Sequence, residues 1–191
     1  NSPEALKKEI LRKAAELQIP VTEIETAIRK QEEVGLKVAT DGEFRRSWWQ
    51  FDFYKGLDGV ELYSVGAGIQ FAGVQTKAET AKVTGRIDFS PSHPHLEHFR
   101  RLQAMVGPGK VAKMTIPSPS MLHYRGGRKM VDEAVYPAMD AYFRDLGLAY
   151  AKAIRAFHAA GCRYLQLDDT SLAYFCDPVQ RKMLADRGDN P

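Results

Sequence analysis

The sequence predicts an α/β protein with a parallel sheet at its centre. Two observations carry that expectation. Short apolar runs alternate with amphipathic stretches long enough to cross over from one parallel strand to the next. Two of those runs end in acids, Asp41-Gly42-Glu43 after 35–40 and Asp168-Asp169 after 164–167, and strand carboxyl ends are where α/β enzymes keep their chemistry. A complete (β/α)8 TIM barrel takes roughly 250 residues. The 191 residues here would therefore supply a partial (β/α)8 barrel, read as one domain over 1–191 with a β meander inserted.

The elements follow in order. Ser2-Pro3-Glu4 caps a first helix with Leu6, Ile10, Leu11, Ala14 and Leu17 on one face. Pro20 breaks it. Thr22-Glu23-Ile24-Glu25 reads as a capping box, and Ile24, Ala27, Ile28, Gln31 and Val34 carry a second helix to its stop at Gly35. A strand over 35–40 follows.

Between Leu57 and Phe89 three β-type runs, 60–65, 69–74 and 82–89, are separated by glycines and predict an inserted β meander or hairpin. A helix over 96–106, a Gly107-Pro108-Gly109 turn and a strand over 110–116 closed by Pro117 come next. After a loop rich in Ser, Pro and Gly, the longest helix spans 138–160, its stripe set by Met139, Phe143, Leu146, Tyr150, Ala153, Ile154 and Phe157. Gly161 ends it before the strand 164–167. Asp177-Pro178 opens a last helix carrying Val179, Met183 and Leu184.

Composition narrows the class. With 44% hydrophobic and 27% charged residues the chain is globular rather than disordered. No run approaches the ~20 apolar residues of a membrane span, and the start is charged and amphipathic rather than signal-like, so a cytoplasmic location and no membrane partner are expected. A net charge of +3, scattered among acids, gives no basic stripe for nucleic acid. Cys162 and Cys176 are too few for a disulfide framework and lack metal-ligand spacing, so both are read as reduced thiols.

Glu43, Asp168 and Asp169 could hold a substrate ammonium or serve as an acid/base pair; the plain alternative is that they cap the helices that follow. The functional reading is preferred for Asp168 and left open for Asp169. Of the adjacent Arg45 and Arg46, at most one can face a site. Trp48, Trp49, Phe51, Phe53 and Tyr54 are read first as core packing. His93, His95 and His98 lack zinc spacing and are read as solvent-exposed. Tyr124, in a loop after the third strand, would overhang the same mouth as Glu43 and Asp168. Gly126-Gly127-Arg128 lacks a phosphate-loop spacing, and no Ser/His/Asp or Cys/His arrangement can be assembled.

From Ala27 through Val60 the chain resembles the C-terminal catalytic barrel of cobalamin-independent methionine synthase. Gln31-Glu32-Glu33-Val34-Gly35-Leu36 leads into Asp41-Gly42-Glu43-Phe44-Arg45-Arg46, with Leu57-Asp58-Gly59 downstream, and 110–122 and 157–172 continue the likeness. The resemblance implies that Glu43 and Asp168 hold the amino group of homocysteine, and that Tyr124 stands where the family has a tryptophan stacked on folate. It also implies a zinc that activates the homocysteine sulfur, with ligands outside this segment, so none is assigned here. Compared with that family the chain would lack the first barrel strand and the C-terminal, metal-binding half. Thr76-Lys77 and Asp169-Thr170 depart from the family's folate-contacting and acid-Pro pairs, leaving the methyl donor, 5-methyltetrahydrofolate or a related compound, unsettled.

The leading expectation is therefore a methionine synthase-type S-methyltransferase acting on small molecules, with the oligomeric state open. Two rivals stand beside it. A glycosidase also uses paired carboxylates at a barrel mouth, with aromatics such as Trp48 to stack on sugar. A non-catalytic binding fragment would use open strand edges to pair with a second chain.

Overall fold

The structure, a computed structural model, describes residues 21–64, 66, 70–71, 74–75, 79–124 and 126–188. The predicted first helix over Ser2–Leu17 and the Thr76-Lys77 pair lie outside them. Among the described residues, helix α1 (Val21–Glu33) buries Ile24 and Ile28, and Gly35 stops it at φ 89°. Val34, expected on the buried stripe, stands 75% exposed beyond the helix end.

The central sheet is parallel throughout, as expected. Strands β1 (Val38–Ala39), β6 (Val111–Pro117) and β7 (Tyr164–Asp168) lie in the order β1-β6-β7. Among the described residues the sheet is open, with β1 and β7 at its edges. β1 is much shorter than the predicted strand over 35–40, for an identifiable reason. The Gln31 side-chain amide accepts from the Thr40 amide at 3.1 Å and donates to the Thr40 carbonyl at 2.9 Å, so a side chain stands where a neighbouring strand would pair.

Helix α2 (Phe51–Tyr54) leads into β2 (Leu57–Ser64), followed by β3 (Gln70–Phe71), β4 (Val74–Gln75) and β5 (Glu79–Phe89). Of the two forms expected for the insertion, the meander is corrected here and the hairpin is found. β2 pairs antiparallel with β5 and β3 with β4, so the insertion is one hairpin nested in another rather than strands pairing in succession. The glycines that separate the runs allow this. Gly59, at φ 73°, sits where the β2–β5 register shifts, and a Cβ there would lie 2.4 Å from the Arg86 carbonyl.

Helix α3 (Pro94–Met105) and the long α4 (Met139–Ala159) pack against the sheets, joining Phe53, Phe89, Phe99 and Phe157 in one core. α4 buries Tyr142, Leu146, Ala149, Tyr150, Ala153 and Phe157, while Phe143 and Ile154 of the expected stripe are 49% and 45% exposed. Tyr142 is buried in their stead because its hydroxyl finds a partner inside, 3.0 Å from His123 Nδ1, and Tyr150, buried as expected, donates to the Pro117 carbonyl at 2.8 Å. Helices α5 (Ser171–Tyr174) and α6 (Pro178–Asp186) end the described chain. Asp177 caps α6 as expected, accepting from the Val179 amide at 2.9 Å, but only Leu184 of its apolar residues is buried.

The histidines overturn their expectation. His93 and His95 are 2% and 1% exposed, because His93 is the N-cap of α3 and its ring joins the aromatic core. Nδ1 accepts from the His95 amide at 3.2 Å, Nε2 donates to the Phe53 carbonyl at 2.9 Å, and the ring stacks on Phe89 with centroids 4.9 Å apart. The dense aromatic run packs as expected: Phe53 and Tyr54 are buried and Trp48 stacks on Phe51. No described helix is long and apolar enough to cross a membrane.

Candidate functional site at the carboxyl ends of the parallel strands

A cavity of about 200 Å³ opens beside the sheet, lined from β1 and its loop by Thr40, Asp41, Glu43 and Arg46, and from β6 and β7 by Lys113, Met114, Thr115, Gln166 and Asp168. Strand geometry dictates much of this set. Side chains alternate with period two, and the register pairs Thr115 with Gln166 and Pro117 with Asp168, so Lys113, Thr115, Gln166 and Asp168 share one face.

The loop after β1 is shaped by its acids. Asp41, 6% exposed, accepts from the Glu43 amide at 3.0 Å and pairs with Arg45 at 3.1 Å. Gly42 and Glu43 are both left-handed, at φ 65° and 59°. For glutamate that conformation is uncommon and costs on the order of 1–3 kcal/mol, offset here by the bonds that hold it. The Arg46 amide donates to the Glu43 carbonyl at 2.8 Å. The Arg46 guanidinium, 4% exposed, reaches Glu43 Oε1 at 3.0 Å and the Thr115 carbonyl at 2.5 Å. Of the two arginines, then, Arg46 lines the cavity and Arg45 serves Asp41.

Burial pushes the Glu43 carboxyl above the usual glutamate value; Arg46 opposes this, and the nearby Asp168 and Asp41 charges add to the rise. Asp168 accepts from the Gln166 side-chain amide, while its carbonyl accepts from the Ser118 amide at 2.8 Å and ties β7 to the end of β6.

Asp169 takes the capping role. It accepts from the Ser171 and Leu172 amides at 3.0 and 3.3 Å and from the Ser120 hydroxyl at 2.8 Å, outside the cavity lining. Burial acts to raise its carboxyl, but hydrogen bonds from Ser171, Ser120, Ser118 and the Leu172 amide outweigh that and hold it below the ordinary aspartate value.

The structure thus brings Glu43 and Asp168 together and leaves Tyr124 apart. The Tyr124 ring stacks on Tyr174 with centroids 5.5 Å apart and meets Phe175 edge-on, and it is not among the cavity's lining residues. Sequence reasoning missed Lys113, Thr115 and Gln166. The available signal was a lysine in the interior of the strand 110–116, two residues before Thr115 and so on the same face. Among the described residues no group of three or more His, Cys, Asp or Glu side chains is arranged to hold a metal. Cys162 is a buried free thiol whose burial pushes its titration up, and Cys176 is free and exposed.

Comparison with known proteins gives the site a context. No protein-family model matches the chain. Two Bacillus subtilis proteins of uncharacterised function are similar in sequence: YxjH, 49% identical over 88% of this chain and 44% of its own, and YxjG, 48% identical over 98% and 50%. The chain therefore spans about half the length of the curated relatives it matches. Among solved structures, a Listeria monocytogenes protein provisionally named a vitamin-B12 independent methionine synthase is similar at 44% identity and a TM-score of 0.67, over 89% of this chain and 49% of that one. A B12-independent methionine synthase from Shewanella sp. W3-18-1, solved with selenomethionine, shares the fold at 18% identity and a TM-score of 0.59, over 85% of this chain and 45% of that one. Over most of its length the chain is thus similar, in sequence and in fold, to about half of a protein provisionally named a B12-independent methionine synthase, and it resembles that family.

Proposed function

We propose that this chain carries the amino-acid-binding face of a methionine synthase-type S-methyltransferase, with Glu43 and Asp168 gripping the ammonium of homocysteine. One observation carries the reading: acids from the ends of two parallel strands line a single cavity. An ammonium taken out of water needs carboxylate partners, since an isolated buried charge costs several kcal/mol. In this reading the sheet β1-β6-β7 is a sector of a (β/α)8 barrel, a view supported by the likeness to the Listeria structure. The glycosidase alternative gains nothing from the site, whose lining includes no aromatic side chain for a sugar to stack on.

The family resemblance implies a zinc that would turn the homocysteine thiol into a thiolate nucleophile. The described residues do not fit it: Cys162 is buried with a raised thiol, and His93 and His95 are buried in ring packing. The ligands proposed for zinc lie outside these residues. What this chain supplies is orientation, the amino group fixed at the strand ends so that the sulfur projects away from Glu43 and Asp168. The methyl donor is proposed to be 5-methyltetrahydrofolate or a related compound.

Calorimetry with the native, full-length polypeptide tests the reading. L-homocysteine should bind, and methionine should form when a methyl donor is added. A protein that binds no homocysteine under conditions where it is folded would reject the assignment.

A further inference from the structure

Setting aside the internal ion pairs of the cavity exposes what it offers a ligand. Arg45 pairs with Asp41 and Arg46 with Glu43, at 3.1 and 3.0 Å. Two charged groups of the lining are then left over, Asp168 and Lys113, and among the described residues neither has an ion-pair partner within 4.0 Å. Asp168 takes a hydrogen bond from Gln166. The Lys113 ammonium lies 5.2 Å from the centre of the Tyr164 ring, a contact that orients it without neutralising it.

We propose that Lys113 receives the α-carboxylate of an amino-acid substrate whose ammonium sits at Asp168 and Glu43. The proposal rests on the reading of this cavity as an amino-acid site and names the determinant that makes it one. One unpaired negative group and one unpaired positive group, set on the same face of adjacent strands four register positions apart in β6 and β7, a span that the long lysine stem shortens, complement a zwitterion. Other charge classes fit worse. A diamine would place an ammonium against Lys113, and a phosphate or dicarboxylate would meet Asp168 and Glu43; like charges at close quarters exclude both. An amine without a carboxylate would leave the Lys113 charge without its partner and so bind less well.

Lysine suits this task because its ammonium is a mobile point charge on a long stem, able to follow a carboxylate whose position the ammonium end fixes first. Arg46 cannot substitute for it, since its guanidinium is already committed to Glu43 and the Thr115 carbonyl. Lys113 is thus a specificity-determining residue: it selects the α-carboxylate and plays no part in activating sulfur.

The test compares L-homocysteine with 3-aminopropane-1-thiol, the same molecule without its carboxylate, on the native full-length protein and on Lys113→Met and Lys113→Arg variants. Lys113→Met should weaken homocysteine roughly tenfold to a hundredfold, the range of one charge-assisted hydrogen bond, and leave the decarboxylated thiol within about twofold of wild type. Lys113→Arg should recover most of the homocysteine affinity, which a misfolded site could not do. Equal weakening of both ligands by Lys113→Met, or an unchanged homocysteine affinity, overturns the proposal while leaving the amino-acid reading standing. A wild-type protein that binds neither ligand overturns both.

Discussion

Arg46 holds Glu43 in place: one guanidinium nitrogen lies 3.0 Å from Glu43 Oε1 while the other donates to the Thr115 carbonyl at 2.5 Å. The arginine therefore joins the loop after β1 to the middle strand of the sheet, and it does so while 4% exposed. Arg46→Met should lower stability by about 2 kcal/mol, because the Thr115 carbonyl and the Glu43 carboxylate both lose a charged donor. Homocysteine affinity should fall with it as Glu43 loses its orientation. Arg46→Lys should fall between, since a single ammonium cannot reach both acceptors with fork geometry. Urea unfolding and calorimetry on the three proteins check this, and equal stability across them would show that the bridge is not maintained in solution.

Acidification separates binding from folding at Glu43. Its carboxyl titrates above the ordinary 4.5, burial being the main cause. An ammonium needs the ionised form, so homocysteine affinity should weaken as pH falls toward that raised value, sooner than for an ordinary glutamate. The stability term has the opposite sign. A carboxyl raised on folding contributes stability that is present below 4.5 and lost as pH rises through its folded value. Glu43→Gln should remove the binding step attributable to this group, and the difference between wild-type and variant titrations by calorimetry is the measurement.

The buried histidines predict acid sensitivity of the fold. Burial lowers His93 and His98 from 6.5 to about 4, and pushes His95 well below its ordinary value. A base depressed on folding contributes stability that is present above 6.5 and lost as pH falls toward 4, because the unfolded chain takes up the proton first. For His93 the loss is at most about 3 kcal/mol. His95 adds a second effect: among the described residues neither ring nitrogen has a hydrogen-bond partner. Replacing it with Leu should raise stability at neutral pH by about 1 kcal/mol and shallow the acid slope, since a buried unsatisfied polar group carries a penalty that an apolar one does not. Denaturant midpoints at pH 7 and pH 5 decide it, and a His95→Leu protein less stable than wild type at both would count against this account.

What the sequence disclosed and what it withheld divide along physical lines. Period and punctuation located the parallel strands at 110–116 and 164–167, the long helix over 138–160 and the Asp177 cap, because those signals are local. The buried face of the long helix differs from the expected stripe only at its margin, since apolar Phe143 and Ile154 outrank Tyr142 by hydropathy while the tyrosine hydroxyl has a partner only the tertiary fold supplies. The burial of His93 was hidden for the same reason: the histidine and its Phe53 acceptor stand 40 residues apart. Glu43 and Asp168 could be picked out by their place at strand ends. Lys113 could not, because its meaning depends on which face of the strand meets the cavity and on which other cations are already paired.

The sharpest demand falls on Asp168, which the proposed function makes the ammonium's partner on β7. Its side chain is half-buried and accepts from Gln166, and its main chain is fixed by the Ser118 amide. Asp168→Asn keeps the volume and leaves the backbone bond untouched, so the fold should be nearly unaffected; only the charge opposite the ammonium goes. A hydrogen bond to a charged group is worth about 1.5–3 kcal/mol, and the remaining Glu43 carboxylate keeps part of the attraction. The expected loss in homocysteine affinity is therefore about ten- to a hundredfold. Asp169→Asn is the internal control, because Asp169 caps the turn after β7 from outside the cavity; it should cost stability and leave affinity within about twofold. If instead Asp168→Asn leaves the dissociation constant unchanged, Asp168 is a structural residue of the β6–β7 junction and the ammonium lies elsewhere.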